Sequence, residues 1–157
     1  MSTGRVAPTK IRHLLLLAVL AGVLGWGFAR RFYPDVPPPS LVPVFVFVFA
    51  LGEAATGWAT RNRVHRRPDT KPIDPIGVAR TLALAKASSL VGALSLGYWS
   101  GMAVYLWGKR SYYVVAKHDS VVAILGGAAS LALVAAALWL EYACRTPDKP
   151  DQTENRS

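Results

Sequence analysis

Cysteine is almost missing from this chain: Cys144 is its only one. A lone cysteine excludes an internal disulfide and any multi-cysteine metal site. Acidic residues are also scarce, 9 against 18 Lys and Arg. Charge of either sign is nearly absent from four long stretches, and that absence decides the class. Each stretch is close to the ~20 apolar residues that cross a bilayer, and too little chain lies between them for a separate globular domain. Catalytic signatures are missing as well, with no HExxH, glycine-rich phosphate loop or nucleophile elbow. His13, His65 and His118 lie in or beside different polar segments without metal-ligand spacing. Ser88 and Ser89 follow Lys86 closely, but helix packing accounts for them better than a Ser/Lys nucleophile. The expectation is a non-enzymatic protein without cofactor or metal.

What is present is 52% hydrophobic and gathered into four blocks. The reading is an all-α integral membrane protein, an antiparallel bundle of four transmembrane helices with spans near 13–29, 41–59, 82–107 and 121–144. Residues 1–12 form a basic N-terminus ahead of that 13–144 membrane domain. Gly27-Phe28-Ala29 offers signal-peptidase spacing, but Arg30-Arg31 directly after it opposes export, so the first span is read as uncleaved. Pro34, Pro37, Pro38 and Pro39 mark an extended connector. Phe45, Phe47 and Phe49 alternate like a strand, yet a lone strand cannot satisfy its backbone in lipid, so helix is expected. Ala50, Glu53, Ala54 and Gly57 share one helical face that should turn inward.

Residues 60–81 read as a polar loop with the basic cluster Arg61, Arg63, Arg66 and Arg67, suited to lipid headgroups. Asp74-Pro75 suits a helix cap followed by proline at the first helical position. In the third span Ala85, Ser89, Ala93, Gly97 and Gly101 recur every fourth residue, a ridge that lets another backbone approach. The fourth span offers a similar ridge at Ala128, Ala132 and Ala136, and Glu141 precedes Arg145 by four, the spacing of a boundary ion pair. Residues 145–157 are charged and aperiodic, and read as a disordered tail.

Two ionisable residues fall well inside the spans. Glu53 lies eight residues before Arg61 and Lys86 six after Arg80, so both sit roughly 9–12 Å in from the same boundary. If the second and third helices pack as antiparallel neighbours, Glu53 and Lys86 meet as an intramembrane charge pair that neutralises two costly groups. Twelve Lys and Arg lie in the N-terminus, the middle loop and the tail, against five on the other side, which puts both termini in the cytoplasm. The basic excess is thus explained by topology, and nucleic acid is not the expected partner. The bilayer is, together with another membrane protein or a second copy of the chain.

The run RRPDTKPIDPIGVARTLALAKASSLVGALSLGYWSG, followed by AAALWLEYACRTPD, resembles a family of small membrane proteins of high-GC Gram-positive bacteria known as domain of unknown function 3180. The most specific parts are Ala85-Lys86-Ala87-Ser88-Ser89 and Leu138-Trp139-Leu140-Glu141. The resemblance implies a multi-pass protein of the bacterial plasma membrane, often encoded beside folate-biosynthesis genes. It implies no catalytic residue. The functional expectation is a scaffold or accessory subunit; the alternative is a small transporter or ion-coupled protein using Glu53 and Lys86.

Overall fold

The computed structural model describes residues 11–33, 38–65, 75–109 and 114–144. The basic N-terminus up to Lys10, Asp74, Arg66 and Arg67 of the loop, and the tail from Arg145 lie outside the described residues, and so do the expectations placed on them. The described residues form four helices: α1 (Ile11–Phe32), α2 (Val42–His65), α3 (Pro75–Lys109) and α4 (Val114–Ala143). All four are long and apolar enough to cross a membrane. A helix satisfies its own backbone hydrogen bonds, which is what hydrocarbon requires. Pro43 and Pro75 stand in first turns, where the missing N–H has no intrahelical partner to lose.

The helices overrun the expected spans. The segment read as a polar loop is helical at both ends, since α2 continues through Arg61 to His65 and α3 begins at Pro75. Likewise α4 begins at Val114 rather than near 121. Hydropathy marks where hydrocarbon begins; a helix can continue through the headgroup layer, where charged side chains are solvated.

Packing order differs from chain order. α1 packs on α3, α3 on α4, and α4 on α2. The expectation that α2 and α3 lie side by side as consecutive antiparallel neighbours is therefore corrected: α2 lies along α4. Close approaches give the directions. Between α3 and α4, Thr81 meets Cys144, Gly92 meets Val134, Ser95 meets Ser130 and Trp99 meets Gly126, so residue numbers rise on one helix as they fall on the other. These two are antiparallel. Between α1 and α3, Gly22 meets Gly97 and Trp26 meets Gly101, so those helices run the same way. Gly57 of α2 meets Trp139 and Leu140, bringing together the C-terminal ends of α2 and α4. A central antiparallel pair thus carries one parallel helix on each flank.

Backbone proximity explains Gly97 and Gly101 of α3. A Cβ added at Gly97 would fall on the Ala18 carbonyl oxygen, and one at Gly101 on that of Gly22. At Gly25 of α1 it would sit 2.7 Å from the Tyr98 carbonyl oxygen. Ala85, Ser89, Ala93, Gly97 and Gly101 are all buried. On α4 the buried stripe is Ala116, Ala123, Ala129, Ser130 and Ala137, whereas Ala128 is exposed and Ala132 half-exposed. Of the expected Ala128–Ala132–Ala136 ridge only Ala136 is buried, and the rest of it is corrected accordingly. α4 carries alanine on several faces, so spacing alone could not select the packed one. The tightest apolar cluster lies nearer the C-terminal end of α3, where Trp99, Met102 and Leu106 pack with Ala29, Ala116, Val122 and Ala123.

Candidate functional site

Among the described residues three carboxylates are buried, Glu53, Asp119 and Glu141; the first two stand toward opposite ends of the bundle. Glu53 comes from the inward face of α2, with Ala50 and Gly57 buried beside it and Phe45, Phe47 and Phe49 turned outward. It is 3% exposed, and among the described residues neither carboxylate oxygen has a hydrogen-bond partner. One helical turn before Gly57, it stands near the level of Ala136 and Ala137 on α4. The α3–α4 register puts Ser88 opposite Ala137. Three helices therefore converge on one spot, and small side chains on α4 leave room for Glu53 to face Ser88 across them. Ser88 comes close to the carboxylate without completing a well-formed hydrogen bond.

The expected Glu53–Lys86 pair is not made. Lys86 does not donate to Glu53; it is half-buried on α3 and has interactions of its own. The physical reason is the helix order. With α4 as its neighbour, α2 presents Glu53 to the α3–α4 seam at Ser88, and Lys86 lies two residues away, displaced by about 200° around a helix.

Polar groups recur along that seam. Thr81, Ser88 and Ser95 are spaced by heptads on α3. Thr81 Oγ1 lies 3.5 Å from Cys144 Sγ. Ser95 Oγ lies 2.8 Å from Ser130 Oγ, and because Ser130 gives its proton to the Gly126 carbonyl at 2.7 Å, Ser95 is the donor between them. At the middle position α4 supplies Ala137, and Glu53 takes the facing place from a third helix. Ser89 turns back to the Lys86 carbonyl at 2.8 Å.

The second carboxylate is Asp119, 7% exposed in the early turns of α4. The Tyr33 hydroxyl donates to its Oδ2 at 2.6 Å, and His118 Nδ1 lies 3.6 Å from its Oδ1. Burial first, then the hydrogen bond to Asp119 and the charge there, push the Tyr33 phenol above its ordinary range, so it stays a donor. His118 itself is largely exposed. Sequence reasoning missed this cluster by placing the start of the last span at Val121; the adjacent His118-Asp119-Ser120, set against an apolar run, was the available signal.

Other expected residues are dispersed. Arg61 is exposed with its guanidinium 5.0 Å from the Trp139 ring centroid, a cation–π contact between α2 and α4. Arg63 lies in the last turns of α2, its side chain outside the described residues. Glu141, expected on the surface, is buried; its expected partner Arg145 is not described. No group of three or more His, Cys, Asp and Glu that could hold a metal occurs among the described residues.

Four membrane-length helices among the described residues define a small multi-pass helical membrane protein. The family profile described as "Protein of unknown function (DUF3180)" matches residues 14–148, and the chain belongs to that family. No curated protein and no solved structure matches it.

Proposed function

We propose that the chain is a non-enzymatic accessory or scaffold subunit of a bacterial plasma membrane, with both termini cytoplasmic, working against another membrane protein or a second copy of itself. The observation that supports this is the outward face of α2. From Val44 to Leu51 its exposed positions are large and apolar, as lipid favours. From Gly52 onward the same helix exposes Gly52, Ala55, Thr56 and Ala59 along one face, with Trp58 exposed beside that face, and a Cβ at Gly52 would meet nothing within 4 Å. Small residues give lipid little to pack against but let a second helix come close. The test is a photo-crosslinking residue at Ala55 in native membranes, compared with one at Phe47. Discrete protein adducts at Ala55 alone support the reading, and lipid adducts at both positions refute it.

A second reading, an ion-coupled protein, is favoured by the unpartnered carboxylate of Glu53. An intramembrane acid without a donor is rarely retained for packing alone.

A further inference from the structure

Glu53 is the group that packing leaves unexplained. Its carboxylate is buried, has no hydrogen-bond donor at either oxygen among the described residues, and faces a serine on another helix. Among the charged groups on the elements around it, Arg80 and Lys109 of α3 and Lys117 of α4 are exposed. Arg61, on its own helix, lies over Trp139. Lys86 on α3 and Glu141 on α4 each have interactions of their own, and Lys86 does not donate to Glu53. Asp119 belongs to the cluster with Tyr33 and His118 at the other end of the bundle.

We propose that Glu53, with Ser88 facing it, is an exchangeable site for a small monovalent cation, a proton or sodium, inside the membrane domain. A carboxylate removed from water and lacking donors requires a positive charge at its oxygens. The hydroxyl of Ser88 can accept from a protonated carboxyl or lend an oxygen to sodium. Access follows from the packing order. α2 is a flanking helix that packs along α4, and at the level of Glu53 the α4 side chains are small, Ala136 and Ala137, with Gly57 meeting Trp139 one turn beyond. A rocking motion of α2 on those side chains would expose Glu53 without disturbing the α3–α4 seam. The site does not depend on whether the chain also works in an assembly.

The test uses the full chain in mild detergent or liposomes, with an apolar carbodiimide as probe. The reagent takes the proton of a carboxylic acid and forms a bond to its oxygen; rearrangement then leaves a stable N-acylurea that peptide mass mapping can locate. Modification is expected at Glu53 in the folded protein, several-fold faster in mildly acidic than in mildly alkaline buffer. Sodium at constant ionic strength, with choline as control, separates the two cations. Protection by sodium assigns sodium; pH dependence without protection assigns the proton. Glu53→Gln should remove the adduct, but the wild-type map stands without it if that variant fails to fold. Modification of Glu53 only after unfolding, or at a rate independent of both pH and sodium, would overturn the proposal.

Discussion

The Tyr33 hydroxyl donates to Asp119 Oδ2 at 2.6 Å, tying the end of α1 to the early turns of α4 across 86 positions of chain. α1 otherwise packs chiefly on α3, so this bond joins a flanking helix to the far member of the central pair. The Tyr33 ring also rests edge-on against Tyr105 of α3. One residue thus closes a three-helix corner.

Tyr33→Phe keeps the ring but leaves Asp119 without its donor. A hydrogen bond to a charged group contributes about 1.5–3 kcal/mol, and a loss of that size is expected in detergent unfolding. Tyr105→Phe should lose less, because no hydrogen bond of its hydroxyl holds the corner together. Equal stability of Tyr33→Phe and wild type would show that the bond does not hold the corner.

The same phenol predicts a response to alkali. Its folded pKa lies above the ordinary 10.0, so its stabilising contribution is complete below 10.0 and is lost as pH rises beyond that value. Wild-type stability should therefore decline above that point more steeply than that of Tyr33→Phe. Parallel declines would refute the assignment to Tyr33.

Gly97→Ala should loosen α1 from α3. The added Cβ meets the Ala18 carbonyl and the Ala21 methyl, so the backbones must separate. Overpacking of this kind costs about 1–3 kcal/mol. Val104→Ala, at an exposed position of the same helix, should cost little. Thermal unfolding of both variants in one detergent makes the comparison, and matched melting temperatures would contradict the close approach.

Glu53→Gln and Lys86→Met should act independently. Because no hydrogen bond links the two groups, a double-mutant cycle should show coupling under about 0.5 kcal/mol. Recovery of stability in the double variant would restore the direct pair that the sequence suggested.

For topology, the basic asymmetry predicts that cysteines placed at Ser2, Thr70 and Ser157 are shielded from an impermeant thiol reagent in intact cells. One at Ser40, in the first connector, should react. Labelling of Thr70→Cys from outside would invert the arrangement.

Much of this fold was legible because lipid leaves few choices. Apolar runs of spanning length become helices, and the every-fourth spacing of Ala85 through Gly101 marked a face that the structure buries. Which helix meets that face was not legible. Periodicity describes one helix at a time, and consecutive helices were taken as neighbours by default; that assumption produced the Glu53–Lys86 pair. The inward face of Glu53 could be read from Ala50 and Gly57, but its orphaned state depends on Ala137 and Ser88 from two other helices. On α4, alanines at 128, 129, 132, 135, 136 and 137 gave no contrast between faces. Asp119 escapes a reading by hydropathy because a charge at the edge of an apolar run usually marks the boundary.

The packing order also sets a timetable for biogenesis. α1 and α2 are synthesised first, yet each finds its main neighbour only in the second half of the chain. α2 leaves the ribosome some eighty residues ahead of the end of α4, about 4–16 s at ordinary translation rates. Through that interval the Glu53 side chain has neither α4 beside it nor Ser88 in place. Until α4 arrives, that carboxyl is a costly polar group in the bilayer. Slowing translation between Arg80 and Val114 would prolong that exposure, so the yield of folded protein should respond to codon choice in α3 more than in α1.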